Sequence, residues 1–92
     1  MNGDPYAMPD SPIAYWQDLG LEAWWGLAKF GQPLTLHVRL PELDIYFVGE
    51  GHGVDAAYED AWNFYAKHHL DTVLAWAEAT ERVESYGLRV TR

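Results

Sequence analysis

The longest regular pattern in the chain runs through residues 54–86. On a helical wheel Tyr58, Ala61, Trp62, Tyr65, His69, Val73, Trp76 and Val83 share one broad face. Glu59, Asp60, Asn63, Lys67, Asp71, Glu78 and Glu81 lie on the other. Apolar recurrence at three and four residues is the signature of an amphipathic helix. Leu70 and Leu74 fall on the polar side and spoil it. Either the helix breaks near His69 to Asp71, with Asp71 capping a second helix, or one helix carries an apolar patch that a partner covers. Asp55 reads as the N-cap of the segment and Gly87 as its stop.

Upstream the period changes to two. Leu34, Leu36, Val38 and Leu40 alternate with Thr35, His37 and Arg39, and Leu43, Ile45 and Phe47 alternate with Asp44, Tyr46 and Val48. Both runs predict half-buried strands. Pro41-Glu42 separates them, either as a hairpin link or as a bend in one long strand. Residues 49–53, GEGHG, read as a flexible loop. Nearer the N-terminus, Ser11 as cap and Pro12 at the first helical position open a helix that Gly20 breaks. Leu21, Trp24, Trp25 and Ala28 then follow i, i+3, i+4, i+7 spacing, so residues 21–30 read as a second short helix closed by a left-handed Gly31.

Residues 1–10, punctuated by Gly3, Pro5 and Pro9, form an extended arm that Tyr6 and Met8 can pin to the surface. Residues 88–92 read as a short final strand. The expected fold is α+β and spans residues 1–92 as a single domain. It comprises short N-terminal helices, a small antiparallel sheet of two or three strands, and a long C-terminal amphipathic helix or helix pair. The helices pack on one face of the sheet.

Composition sharpens this picture. A chain of 92 residues builds only a modest core, and this one has no cysteine to cross-link it. Five Trp, six Tyr and three Phe supply the apolar mass instead, each aromatic burying about 150–250 Å². Fourteen carboxylates against six Lys and Arg give a formal charge of −8. That balance argues against direct binding of nucleic acid or an anionic membrane surface, and favours steering towards a basic partner. Residues 1–11 contain neither a basic run nor an apolar core, and no window approaches the length of a membrane span. A cytoplasmic protein is expected.

Catalytic patterns are scarce. His68 and His69 are adjacent and diverge on a helix, while His37 sits on a strand and His52 in the glycine-rich segment. No H-E-x-x-H or H-x-H spacing gathers them, although His52, His69 and Asp55 or Glu59 are the set that would have to converge for a metal. GEGHG lacks phosphate-loop spacing, and Glu50 would repel an anion. Ser11 and Ser85 lie in no nucleophile motif. No enzyme activity, metal or cofactor is expected.

Two signals remain. Trp24 and Trp25 are adjacent and cannot both face the core, so one is an exposed anchor of the kind that dominates protein interfaces. Asp55, Glu59, Asp60, Asp71, Glu78, Glu81 and Glu84 place about one carboxylate per 5.4 Å turn along the C-terminal segment, a row able to occupy a groove built for nucleic acid. The composition as a whole (small, acidic, Cys-free, aromatic-rich) resembles the inhibitors that phages and mobile elements encode against nucleic-acid enzymes, such as anti-CRISPR and anti-restriction proteins. The resemblance carries no motif and assigns no residue. It implies a protein-binding inhibitor that blocks a nucleic-acid-binding protein or nuclease; the acidic row and the tryptophan pair name the expected contact residues as Glu59, Asp60, Asp71, Glu78 and Glu81, with Trp24 or Trp25 as apolar anchor. The alternative is an assembly subunit, a homodimer or other small homo-oligomer that uses Leu70 and Leu74 as its contact.

Overall fold

Ser11 and Pro12 start the first helix as their chemistry dictates. In the computed structural model, which describes residues 6–26 and 28–85 and side chains as far as Thr80, α1 runs Pro12–Leu19. The Ser11 hydroxyl accepts from the Ala14 N–H at 3.3 Å. Gly20 ends the helix in the left-handed region at φ 103°, its N–H turned back to the Gln17 carbonyl. Strands β1 (Glu22–Trp25), β2 (Leu34–Leu40) and β3 (Ile45–Gly51) follow, then α2 (Val54–His68) and α3 (Leu70–Ser85). The fold is α+β, and the strands form an antiparallel sheet in the order β1-β2-β3. The N-terminal helical part is a single short helix, and the C-terminal part is a helix pair.

The segment 21–30 is not a helix. Glu22 pairs with Arg39, Ala23 with Val38, Trp24 with His37 and Trp25 with Leu36. The same residues that fit a helical spacing also fit a period of two: Leu21 and Ala23 are buried and Trp25 half-buried, while Glu22 and Trp24 are exposed. Gly20 and Gly26 frame a stretch too short to nucleate a stable helix, and pairing with β2 decides the outcome. Gly31 is left-handed at φ 84°, but in the β1–β2 loop rather than at a helix end. The β2–β3 link is the hairpin of the two alternatives. It turns through a 3-10 turn, Pro41–Leu43, with Asp44 in the left-handed region at φ 57°.

The glycine-rich segment is mostly strand. β3 continues to Gly51, where Leu36 pairs with Gly49 and Leu34 with Gly51. Both glycines face α2. A Cβ on Gly49 would stand 2.6 Å from the Ala61 Cα, and one on Gly51 would stand 2.7 Å from the Ala57 N. Helix and strand therefore meet backbone to backbone, which only Gly against Ala permits. Gly53, not Asp55, is the N-cap of α2 and offers no side-chain cap; Asp55 lies in the first turn, where the helix dipole favours it.

The helices cover one sheet face. Its residues Ala23, Leu36, Val38, Leu40, Ile45 and Phe47 form one core with Trp16, Ala61, Trp62, Tyr65, Leu70 and Val73. Trp16 is fully buried, its ring 5.7 Å from Phe47 and 5.4 Å from Tyr65 by centroids. Tyr65 and Tyr15 join hydroxyls at 3.1 Å. Burial first, then that hydrogen bond, holds the Tyr65 phenol well above its ordinary pKa, so it stays neutral.

The pattern break at Leu70 and Leu74 is a real break. α2 ends at His68, His69 leaves helical geometry at φ −130°, and α3 starts at Leu70. Leu70 is buried in the core, and Leu74 is half-buried and packs against it. The arm is pinned here: the Trp62 indole donates to the Tyr6 carbonyl at 2.9 Å, and the Tyr6 hydroxyl donates to Asp71 Oδ1 at 2.7 Å. Tyr6 thereby bridges α2 and α3. His69 stacks on Phe47 at 5.5 Å and 18°, and Phe64 lies 5.6 Å from both rings. Residues 1–5 of the arm and the expected final strand 88–92 lie outside the described residues, as do Gly87 and the side chains of Val83, Glu81 and Glu84.

Two outcomes follow. Gly49→Ser is expected to destabilise the protein by about 1–3 kcal/mol through overpacking. Gly53→Ser, where a Cβ meets nothing, gains a cap and stabilises by a few tenths of a kcal/mol or more. Urea unfolding should move the two midpoints in opposite directions. Burial, then the charge of His68, holds the His69 pKa below 6.5. The unfolded chain then binds more protons than the folded one below that value. Stability is full above pH 6.5 and is lost as pH falls through the lowered folded pKa. His69→Gln should flatten this part of a stability-versus-pH curve, leaving the carboxylate region at lower pH.

Candidate functional site

Alternation leaves the second sheet face to Glu22, Trp24, Thr35, His37, Arg39, Tyr46, Val48 and Glu50. No described element covers it: Trp24 is 41% exposed, Tyr46 55% and Val48 37%. Large apolar side chains left together on an open face are the informative exception to ordinary burial.

Three rings cross this face in a diagonal row. Trp24 on β1 lies parallel to His37 on β2, with centroids 5.4 Å apart and planes 8° apart. His37 in turn faces Tyr46 on β3 at 6.1 Å and 29°. The imidazole is held at both nitrogens: Nδ1 is 2.8 Å from the Tyr46 hydroxyl and Nε2 is 3.1 Å from Thr35 Oγ1. Either neutral tautomer satisfies both contacts, because each hydroxyl can donate or accept. Gly26 extends the pairing of β1, its N–H donating to the Thr35 carbonyl at 2.8 Å. A Cβ there would stand 2.6 Å from His37 Nε2 and collide with the Thr35 hydroxyl. The glycine thus makes room for the Thr35–His37 contact that holds the ring row.

A hydroxyl on one imidazole nitrogen and an orienting hydroxyl on the other has the bare connectivity of a nucleophile and its base. Here it lies on the sheet face that no described element covers, with Gly26 against both groups. What the arrangement offers instead is flat stacking area at low entropy cost, framed by polar groups. Arg39 and Glu22 form an ion pair at 3.1 Å beside the rings, about half exposed at both ends and so worth little in stability. At the far side Asp60 of α2 accepts from the Glu50 N–H at 2.9 Å, placing a second carboxylate next to Glu50.

The expected site residues are divided by this geometry. Trp24 stands on the open face, whereas Trp25 points to the covered face and tilts against Tyr58 at 5.4 Å. Glu59 and Glu78 are exposed on α2 and α3, Asp60 is tied to β3, and Asp71 is tied to Tyr6. Glu81 lies in α3, its side chain outside the described part. Because the helix breaks at His69, the carboxylates do not form one continuous rod. His52 is exposed in the turn before α2, and among the described residues no three His, Asp or Glu side chains gather as a metal would require.

His37 and Tyr46 were not singled out by the sequence. Their signal was present as the outward half of each alternating strand, where ring-bearing residues replace the usual small or charged ones. Phe30, fully exposed in the β1–β2 loop, was also missed because residues 21–30 read as a helix. No helix among the described residues is long and apolar enough to cross a membrane. No family model, curated protein or solved structure matches the chain.

Gly26→Ala is expected to push His37 out of the stack. The measurable result is a loss of near-ultraviolet circular dichroism from the Trp24 stack, together with destabilisation of about 1–3 kcal/mol. Unchanged spectra and an unchanged unfolding midpoint would show that the row does not depend on the glycine.

Proposed function

We propose that the protein is a small acidic binding protein of inhibitor type, which occupies a basic surface on a nucleic-acid-binding protein. The observation that carries this reading is the preorganised row Trp24–His37–Tyr46 on an uncovered sheet face. Aromatic anchors fixed before binding cost little to immobilise, and such residues carry most of the energy in protein interfaces. The charge of −8 supports a partner of opposite sign.

In this reading the two groups of expected residues have different tasks. Trp24 makes the close contact. Glu59, Asp60, Asp71, Glu78 and Glu81 supply the field that steers the encounter, with Asp60 and Asp71 also holding the fold through their hydrogen bonds to Glu50 and Tyr6. Trp25 packs on the covered side against Tyr58.

The test is capture from a lysate of the native host with immobilised wild type, Trp24→Ala, and the pair Glu59→Lys with Glu78→Lys. The wild type should retain a nucleic-acid-binding protein whose binding to DNA or RNA falls when the acidic protein is added. Trp24→Ala should lose it at all salt concentrations. The charge-reversed variant should bind more slowly with a shallower salt dependence. A captured protein that still binds its nucleic acid normally would refute the inhibitor reading.

A further inference from the structure

The open face shows more than that something binds. We infer that it is a receptor for arginine, and that the bound segment is an extended stretch of the partner carrying two arginines, one stacked on Trp24 and one paired at Glu50. This rests on the reading above only in taking the occupant to be protein.

Trp24 and Tyr46 keep 41% and 55% of their surface exposed, and an aromatic ring carries its electron density on its faces. A cation is attracted to such a face, most strongly to tryptophan. The one arginine on this face, Arg39, is already engaged by Glu22 at 3.1 Å. The opposite corner carries Glu50, with the Asp60 carboxylate held 2.9 Å from its N–H. Ring faces and free carboxylate capacity on a molecule of charge −8 match a cation that is flat, weakly hydrated and able to bridge carboxylate oxygens. That is guanidinium; ammonium is compact and strongly hydrated and gains less from stacking.

The register sets the spacing. Trp24 is opposite His37, His37 is opposite Val48, and Glu50 lies two residues beyond Val48 on the same face. Crossing two strand gaps of about 4.8 Å and two residues of strand rise gives a span of about 12 Å, or three to four extended residues. Single-stranded nucleic acid is the other class that aromatic rows on sheets accommodate, but it needs a cationic groove along its backbone. Among the described residues of this face Arg39 is the one cation, and it is paired.

The probes are blocked peptides of glycine and serine carrying two arginines three residues apart, the same peptide with two lysines, and an oligo-thymidine, titrated against the protein by calorimetry and by indole shifts in NMR. The arginine peptide is expected to bind about two- to five-fold more tightly than the lysine peptide, five-fold being the full value of one stacked cation at an exposed site. Trp24→Ala should lower that ratio to the part contributed at Glu50 while leaving the far-ultraviolet circular dichroism of the fold in place, and Glu50→Gln should weaken the arginine peptide more than the lysine one. Equal binding of the two peptides to wild type overturns the inference, as does a ratio that Trp24→Ala leaves unchanged. Oligo-thymidine binding that shifts the Trp24 indole and displaces the peptide overturns it in favour of a nucleic-acid platform. Failure here with continued Trp24-dependent capture of a protein leaves the inhibitor reading standing. Arginine selectivity with no inhibited partner defeats that reading and leaves the receptor.

Discussion

Two glycines on β3 set how near α2 can come to the sheet, and most of the remaining arrangement follows from that distance. With Gly49 under Ala61 and Gly51 under Ala57, the helix lies almost on the strand backbone. The larger side chains of α2, Trp62 and Tyr65, then reach past the strand to the centre of the molecule, where Trp16 and Phe47 wait. Had β3 carried ordinary side chains there, the helix would ride higher and the aromatic centre would be underfilled. The tight seam also fixes the corner where Asp60 meets the Glu50 N–H, so the position of a helix and the edge of the open face are one structural fact.

The core that results is aromatic and almost without polar content. Cross-linking by cysteine is absent, and edge-to-face packing of Tyr15, Trp16, Trp62 and Tyr65 takes its place, each pair adding about 0.5–1.5 kcal/mol beyond burial. The Tyr15 and Tyr65 hydroxyls satisfy each other, and the Trp62 indole finds the Tyr6 carbonyl. Trp16 Nε1 is the buried side-chain polar atom among the described residues that meets no hydrogen-bond partner. The penalty of about 1–3 kcal/mol is accepted in exchange for the largest ring at the centre.

Sequence periodicity reveals the sheet and the helix pair because each has one buried side. β2 and β3 announce themselves through strict alternation, and α2 through Tyr58, Ala61, Trp62 and Tyr65. The segment 21–30 misleads because leucine, alanine and tryptophan there satisfy periods of 3.6 and of two over so few residues; only the strand partner distinguishes them. GEGHG misleads for a different reason. Glycine in a chain signals freedom, but Gly49 and Gly51 are there for clearance, which depends on what lies opposite. The exposed tryptophan is half legible: adjacency of Trp24 and Trp25 requires one to face outward, but which one follows from β1 register. His37 and Tyr46 are invisible as a site because their meaning lies in a diagonal across three strands.

The hydrogen bonds at the two sheet edges have a consequence for how the protein behaves in a crowd. A bare aromatic face beside open strand edges is a template on which further strands stack into fibrils. Gln17 donates to the Ala23 carbonyl at 3.2 Å on β1, and Asp60 accepts from the Glu50 N–H at 2.9 Å on β3. Each plug occupies a backbone group on an outer strand and interrupts the row a newcomer would have to match. With the like charge of every copy added, the molecule can present three rings to the solvent and still remain a poor seed for its own aggregation.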